Sequence, residues 1–208
     1  MPASRHSTTE ESRPRRRADA ERSIERILDA AVDALGEDQH VSMSEIARRA
    51  GVVRATIYVH FPTREALLDA VTDRALAEVS AVILASEPER GEADVALGRV
   101  VAATWRTLGR YHALVAINTG AQTHEDLHRR HGSVLGLLVP LIQRGQAAGK
   151  FRRDVPVAWH LAMLMALIHA GSAEVRAGRV PETDAEAALV ASVLGAITDP
   201  GAPRTELA

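Results

Sequence analysis

Between residues 42 and 64 the chain collects side chains suited to phosphate groups and to the edges of nucleic-acid bases. Ser42 and Ser44 offer hydroxyls, Arg54 and Arg64 guanidinium groups, Tyr58 a phenol and His60 an imidazole. Thr56 carries a hydroxyl and a methyl, and Ala55 is small enough to let a backbone come close. The major groove of DNA is wide enough for one α-helix, whose side chains read base edges while hydroxyl and basic groups around it hold phosphates. A second cluster has different chemistry. His124, His128 and His131 follow one another at i, i+4, i+7, beside Glu125 and Asp126, a spacing that aligns three imidazoles on one side of a helix. Zinc or nickel would suit them, and so would a plain solvated connector. Gly132 breaks the helix at the third histidine and no carboxylate can be assigned to orient the rings, so neither a metal nor a cofactor is expected.

Enzyme chemistry finds little footing. No nucleophile-elbow G-x-S-x-G, phosphate-binding G-x-x-x-x-G-K-[ST] or dinucleotide fingerprint occurs. Two E-x-x-H pairs exist, Glu37/His40 and Glu125/His128, of the kind that di-iron bundles use. The first follows Gly36 into a loop and cannot project from a long helix. The chain is therefore expected not to be an enzyme.

The elements that must carry the residues 42–64 are helical. Ile24, Ile27, Leu28, Ala31, Val32 and Leu35 recur at three- and four-residue spacing, and Gly36 stops that helix. Ser42-Met43-Ser44-Glu45 has the form S-x-x-E, a capping box in which Ser42 and Glu45 would each satisfy a backbone donor. A helix of two turns ends at Gly51, a second short helix covers about 53–60, and Pro62 stops it. Thr63 then caps a long helix with Ala66, Leu67, Ala70, Val71, Leu76 and Val79 inward. Further helices are expected at about 92–108, 111–120, 133–148, 156–177 and 184–198, with no alternating strand signal. The fold class is all-α. Two short helices joined by a glycine turn behind an amphipathic helix describe a helix-turn-helix.

Composition sets the frame. The 208 residues are 46% apolar, 25% charged and 3% aromatic, enough for a real core, and contain no cysteine, which excludes disulfides and thiolate metal sites. Leu161–Ile168, the longest apolar run, is far short of the ~20 residues a membrane span needs. Residues 1–20 hold no apolar stretch that would direct secretion, so a cytoplasmic protein without membrane contact is expected. The net charge of −2 hides its distribution. Residues 1–17 and 42–64 each carry +3, while 19–38 between them carry −5. A local patch, not the total, is what phosphate binding requires.

Ile46-Ala47-x-x-Ala50-Gly51-Val52, followed by Thr56-Ile57-Tyr58-x-His60-Phe61-Pro62-x-Arg64-x-x-Leu67-Leu68, closely resembles the DNA-binding domain of TetR-family (TetR/AcrR-like) transcriptional regulators. The resemblance covers about residues 20–80 and includes Ile27-Leu28-Asp29-Ala30-Ala31. It implies a three-helix N-terminal DNA-binding domain on an all-helical C-terminal domain that binds a small effector and dimerises. It further implies Thr56 beside base edges, Tyr58 and His60 facing phosphates, and Ser42 and Ser44 at the phosphate-touching start of the bracing helix. Arg64 stands where the family usually has Lys, retaining a charge for the DNA backbone. Phe61 locks the recognition helix onto the core. Two residues depart from the pattern. Val53 replaces the usual Ser or Thr cap, and Val59 replaces a polar or aromatic residue, leaving either a thymine-methyl contact or core burial open.

The domain plan is then an Arg-rich arm at 1–18, either a solvated tail or a DNA-touching arm; a DNA-binding domain at 19–80 with its motif at about 42–61; an effector-binding and dimerisation domain at 81–200; and a tail at 201–208. Within the third segment Trp105, Tyr111, Asn118, Trp159, Met163 and His169 are the candidates for effector contact, with His112 and His160 beside them, although an aromatic or Met on a helix is more often simple core. Leu161–Ile168 is apolar all round and should be buried on every side, the last two long helices pairing with those of a second copy. The function implied is a repressor that binds a palindromic operator as a homodimer and is released by a small, mostly apolar effector.

Overall fold

The computed structural model describes residues 12–114, 117 and 124–199, leaving aside the side chains of 12–17, 124 and 126–128. They form eight α-helices, and the one β-type contact among them is an isolated bridge between Phe151 and Thr198. The chain divides into two compact units, Met1–Val71 and Thr72–Ala208. The division falls inside a helix, ahead of the boundary at residue 80 that patterning suggests.

The first unit contains α1 (Ser12–Glu37), α2 (Met43–Arg49), α3 (Arg54–His60) and the first turns of α4 (Arg64–Ala85). α1 begins at Ser12, seven residues before the expected start at Asp19, so the expected arm is helical from that point. Residues 12–18 are rich in Arg with Pro14 in the first turn, where a missing N–H is harmless. They lack apolar periodicity, which is why patterning alone reads them as coil. Residues 1–11 and 200–208 lie outside the described residues. α1 also runs one residue past Gly36, and Asp38 then makes a tight turn, its carboxylate accepting the His40 N–H at 2.8 Å. Ile27, Ala31, Ala34, Ile46, Ala47, Ile57 and Leu67 are almost wholly excluded from solvent and form the core of this unit.

The second unit holds the rest of α4, then α5 (Ala93–Leu108), a 3₁₀ turn at Gly109–Tyr111, α6 (His124–Ala147), α7 (Val157–Arg176) and α8 (Glu182–Ile197). α5 packs on α6 and α8, and α7 packs on α6 and α8. α6 starts at His124 instead of about 133, running straight through Gly132 and Pro140. A helical glycine costs about 1 kcal/mol, and burial of Val134, Leu135, Leu138, Leu141 and Ile142 outweighs it. Of the helix expected at 111–120, residues 112–114 and 117 are helical and the others lie outside the described residues or in the 3₁₀ turn. Phe151 is fully buried over Gly145; a Cβ placed there would come within 2.0 Å of the ring, so the close approach demands glycine. α7 is not buried on every side of one protomer. Leu161, Leu164 and Met165 are buried, Ala166 is exposed and Met163, Leu167 and Ile168 are half-buried. No helix among the described residues is long and apolar enough to cross a membrane.

Candidate nucleic-acid interface and effector cavity

α2 braces α3 through well-formed ends. The Ser42 hydroxyl accepts the Glu45 N–H at 3.2 Å, capping α2. Its reciprocal half is missing from the capping box, because the Glu45 carboxylate is taken by Arg48 at 2.6 and 2.8 Å and by Arg49 at 3.0 Å. These side-chain bonds draw the Glu45 pKa down to about 2. Arg49 also reaches Glu37 at 2.8 Å. At the other end of α2, Gly51 turns into the left-handed region at φ 65°, the Gly51 N–H meets the Arg48 carbonyl and the Val52 N–H the Ala47 carbonyl. This is a Schellman stop, and a Cβ at residue 51 would strain it.

α3 starts without a side-chain cap at Val53, as its residue type dictates, and ends where the Phe61 N–H meets the Ile57 carbonyl at 2.7 Å before Pro62. Ile57 and Phe61 are buried, so the helix is fixed by its inner side. Its outer side is a stripe at i, i+1, i+4, i+5: Arg54, Ala55, Tyr58 and Val59 are exposed, and Thr56 and His60 flank them half-buried. Arg54 lies over the Tyr58 ring, 5.6 Å from its centroid, which presents charge and phenol together. Ser42 and Ser44 are exposed at the start of α2. Such a face offers hydrogen-bonding, cationic and apolar groups in the combination a DNA groove accepts. Thr63 caps α4, accepting the Ala66 N–H at 3.1 Å.

The second unit encloses a cavity of about 90 Å³ between α4, α5, α6 and α7. Its wall is aliphatic, from Leu76, Val79, Val101, Leu135, Leu138 and Ile168 among others, with Thr72, Thr104, Tyr111, His131 and His169 as its polar members. The His131 and His169 rings meet edge to face at 5.8 Å. Burial, then the His131 charge, lowers the His169 pKa, so the ring is neutral at pH 7. Burial, with the Glu78 carboxylate, pushes the Tyr111 hydroxyl up to about 12 and keeps it protonated.

Residues 27–71, which hold the braced α2–α3 pair, match the family model of bacterial regulatory proteins of the tetR family. That segment is similar to the DNA-binding segment of the TetR family. The transcriptional repressor LfrR of Mycolicibacterium smegmatis is 28% identical over 180 residues, 86% of this chain and 93% of that one. The transcriptional repressor NicS of Pseudomonas putida is 26% identical over 160 residues, 72% of this chain and 76% of that one. A crystal structure of LfrR from Mycobacterium smegmatis in complex with proflavine aligns with TM-score 0.65 at 25% identity, covering 85% of this chain and 97% of that one. These relatives are regulators, and this chain is a DNA-binding transcriptional regulator, not an enzyme.

Within this helix-turn-helix unit the expected DNA residues fall into two groups. Ser42, Ser44, Arg54, Ala55 and Tyr58 stand exposed on α2 and α3, with Thr56 and His60 at their margin. Arg64 is held differently. Its guanidinium turns inward and donates to the Val41 carbonyl and, at 2.5 Å, to the Gln39 carbonyl. The loop between α1 and α2 leaves carbonyls that need donors, and a five-donor fork at the start of α4 satisfies two of them. Val59, 77% exposed, is not core, which closes one of the two readings left open for it; Val53 is 70% exposed. The sequence signal for Val59 is its i+4 relation to Ala55.

Of the six effector candidates, Tyr111 and His169 line the cavity. Trp105 is buried but turned elsewhere, packed on His112 at 4.9 Å and against Gly171. Met163 packs on the core without lining the cavity, and Trp159 is 56% exposed. Asn118 lies outside the described residues. His112 shares a hydrogen bond with Ser172 at 3.1 Å and His160 is buried with its Nε2 3.0 Å from the Arg152 carbonyl oxygen. Thr72, Thr104 and His131 are the cavity's polar members that the sequence did not single out for effector contact. Among the described residues no group of three His, Asp or Glu gathers as metal ligands; the side chains of His124 and His128 lie outside them.

Proposed function

We propose that this regulator is a homodimeric repressor that grips a two-fold-symmetric operator with the α3 faces of two copies and lets go when a small, mostly apolar molecule fills the cavity of the second unit. The carrying observation is the outward stripe Arg54, Ala55, Tyr58, Val59 on a helix locked down by Ile57 and Phe61. Thr56, His60, Ser42 and Ser44 complete the contact surface in this reading, and Arg64 supports it from behind. Repression is supported by the similarity to LfrR and NicS, and a ligand-holding second unit by the LfrR complex with proflavine. Work in the cytoplasm follows from that role. The dimer would form through α7 and α8, where Trp159, Ala166, Ala188, Ala191 and Ser192 leave an exposed, largely apolar face.

Linkage supplies the mechanism. Two recognition helices must sit about 34–36 Å apart to enter successive major grooves. A ligand that binds better to another spacing lowers DNA affinity by its differential affinity for the two states. α4 carries Thr72, Ala75, Leu76, Val79 and Ile83 along the cavity and Leu67 and Val71 in the first unit's core, so one helix is common to both.

Selection of bound sequences from a random DNA pool, with the purified chain, tests the reading. An enriched inverted repeat occupied by two protomers is expected. Enrichment of a single half-site, or none over bulk DNA, would overturn it. Sedimentation of the free protein near 45 kDa, falling toward the 22.3 kDa protomer in Trp159→Glu, checks the interface. The 45 kDa figure is roughly twice the protomer mass, as expected for the closed two-fold dimer commonest among oligomers.

A further inference from the structure

We infer that the cavity of the second unit selects a compact uncharged molecule carrying one hydroxyl or carbonyl oxygen, and that Thr104 is the residue that reads that oxygen. The inference rests on the reading of this cavity as the effector site and adds the effector's chemical class.

Thr104 lies on α5, lines the cavity and is only 6% exposed, and its hydroxyl has no hydrogen-bond partner. Hydroxyls on helices normally satisfy themselves on the carbonyl four residues back. Thr107, one turn further along α5, does so on the Ala103 carbonyl at 3.0 Å, and Ser80 and Ser86 do so at 2.8 Å on Leu76 and Val82. Thr104 is the exception among these, and a buried hydroxyl left unmet is costly. A ligand oxygen in the cavity would meet it.

The rest of the lining decides the charge. Among the described residues around the cavity none is Asp, Glu, Lys or Arg. A charged ligand would lose its hydration with no carboxylate, ammonium or guanidinium in the lining to replace it. The His131 and His169 imidazoles lie edge to face at 5.8 Å, and an imidazole nitrogen can meet a ligand oxygen with a hydrogen bond. The volume, about 90 Å³, sets the size. An apolar cavity of about 150 Å³ is known to hold benzene, so modest widening here admits one ring.

Four matched one-ring probes test the inference on the full chain by calorimetry: p-xylene, p-cresol, p-toluate and 4-methylbenzylammonium. p-Cresol should bind about tenfold more tightly than p-xylene, the gain of one well-made hydrogen bond, and both charged probes more weakly than p-xylene. Thr104→Val should bring p-cresol down to the affinity of p-xylene while leaving p-xylene unchanged, and Thr104→Ser should restore the difference. Thr104→Val should also melt no lower than the parent, since it removes an unmet hydroxyl, which shows that the fold is intact. Equal binding of p-cresol and p-xylene overturns the inference. So does an advantage that survives in Thr104→Val, preference for a charged probe, or failure of all four to bind. Operator release is measured separately. A probe that binds as expected but leaves DNA affinity unchanged counts against the effector reading and leaves the Thr104 assignment standing.

Discussion

Arg64→Met separates two roles that one side chain could fill. If Arg64 staples the loop between α1 and α2, its removal weakens the fold; if it holds a phosphate, its removal weakens DNA binding. The guanidinium donates to the half-buried Val41 carbonyl and to the exposed Gln39 carbonyl at 2.5 Å. Hydrogen bonds from charged donors contribute about 1.5–3 kcal/mol each when shielded and less in water. Counting about 2 for the first and about 1 for the second, with the Met chain retaining the packing, the loss is about 3 kcal/mol. With a urea dependence of about 1–3 kcal/mol per molar, the unfolding midpoint should fall by at least about 1 M. DNA binding under conditions where the variant is folded should keep its salt dependence. Removing one phosphate-holding cation from each of two protomers would instead flatten the log–log salt slope by about 1.8. An unchanged urea midpoint combined with that flattening would refute the inward assignment.

Tyr58→Phe keeps the ring beneath Arg54 and removes only the exposed hydroxyl; operator affinity by fluorescence anisotropy should fall about fivefold with melting unchanged, and a loss of stability instead would make Tyr58 a packing residue. Gly145→Ala sets a methyl 2.0 Å from the Phe151 ring and should destabilise by about 3 kcal/mol in denaturant titration, with Phe151→Leu in the same chain recovering part of it; a variant of parental stability would show that the ring can move aside. The folded state holds His169 below its usual 6.5, so the unfolded chain takes up a proton first as the pH falls; that part of the stability is complete above 6.5 and declines below it. His169→Asn should therefore lose less stability than the parent between pH 7.5 and 6.0, and identical pH profiles would show that the ring is solvated.

The first unit was legible because its constraints are local. Gly51, Pro62, Ser42 and Thr63 each dictate one backbone event, and the apolar spacing of Ile46, Ile57, Phe61 and Leu67 says which side faces in. What stayed hidden there depends on partners distant in sequence. Arg64 meets Gln39 and Val41, 25 and 23 residues away, and no pattern around residue 64 announces that. In the second unit the wall of the cavity draws on four helices, so its polar members could not be chosen from one helix at a time. Trp105, Met163 and Trp159 were reasonable by residue type, and the packing of α5 and α7 turned them elsewhere. Thr104 drew no attention because a helical threonine ordinarily satisfies itself; only its unmet hydroxyl sets it apart from Thr107.

Charge counting overstates the cationic character of the proposed DNA-facing surface. Residues 42–64 carry four arginines against one glutamate. The structure binds Arg48 and Arg49 to Glu45, adds Glu37 to Arg49, and turns Arg64 toward loop carbonyls. Arg54 remains on the outward stripe of α3, over Tyr58. Because the Glu45 carboxylate is held down at about 2, it stays ionised across the range in which proteins of this kind are handled, and its neutralising effect persists there. In the proposed complex, the share of affinity from counterion release supplied by this segment is therefore smaller than its four arginines suggest. A larger share falls to hydroxyls at Ser42, Ser44, Thr56 and Tyr58 and to the methyls of Ala55 and Val59. Of these, the groups at base edges, Thr56, Ala55 and Val59, discriminate among base pairs, while the phosphate-facing hydroxyls of Ser42, Ser44 and Tyr58 fix the register.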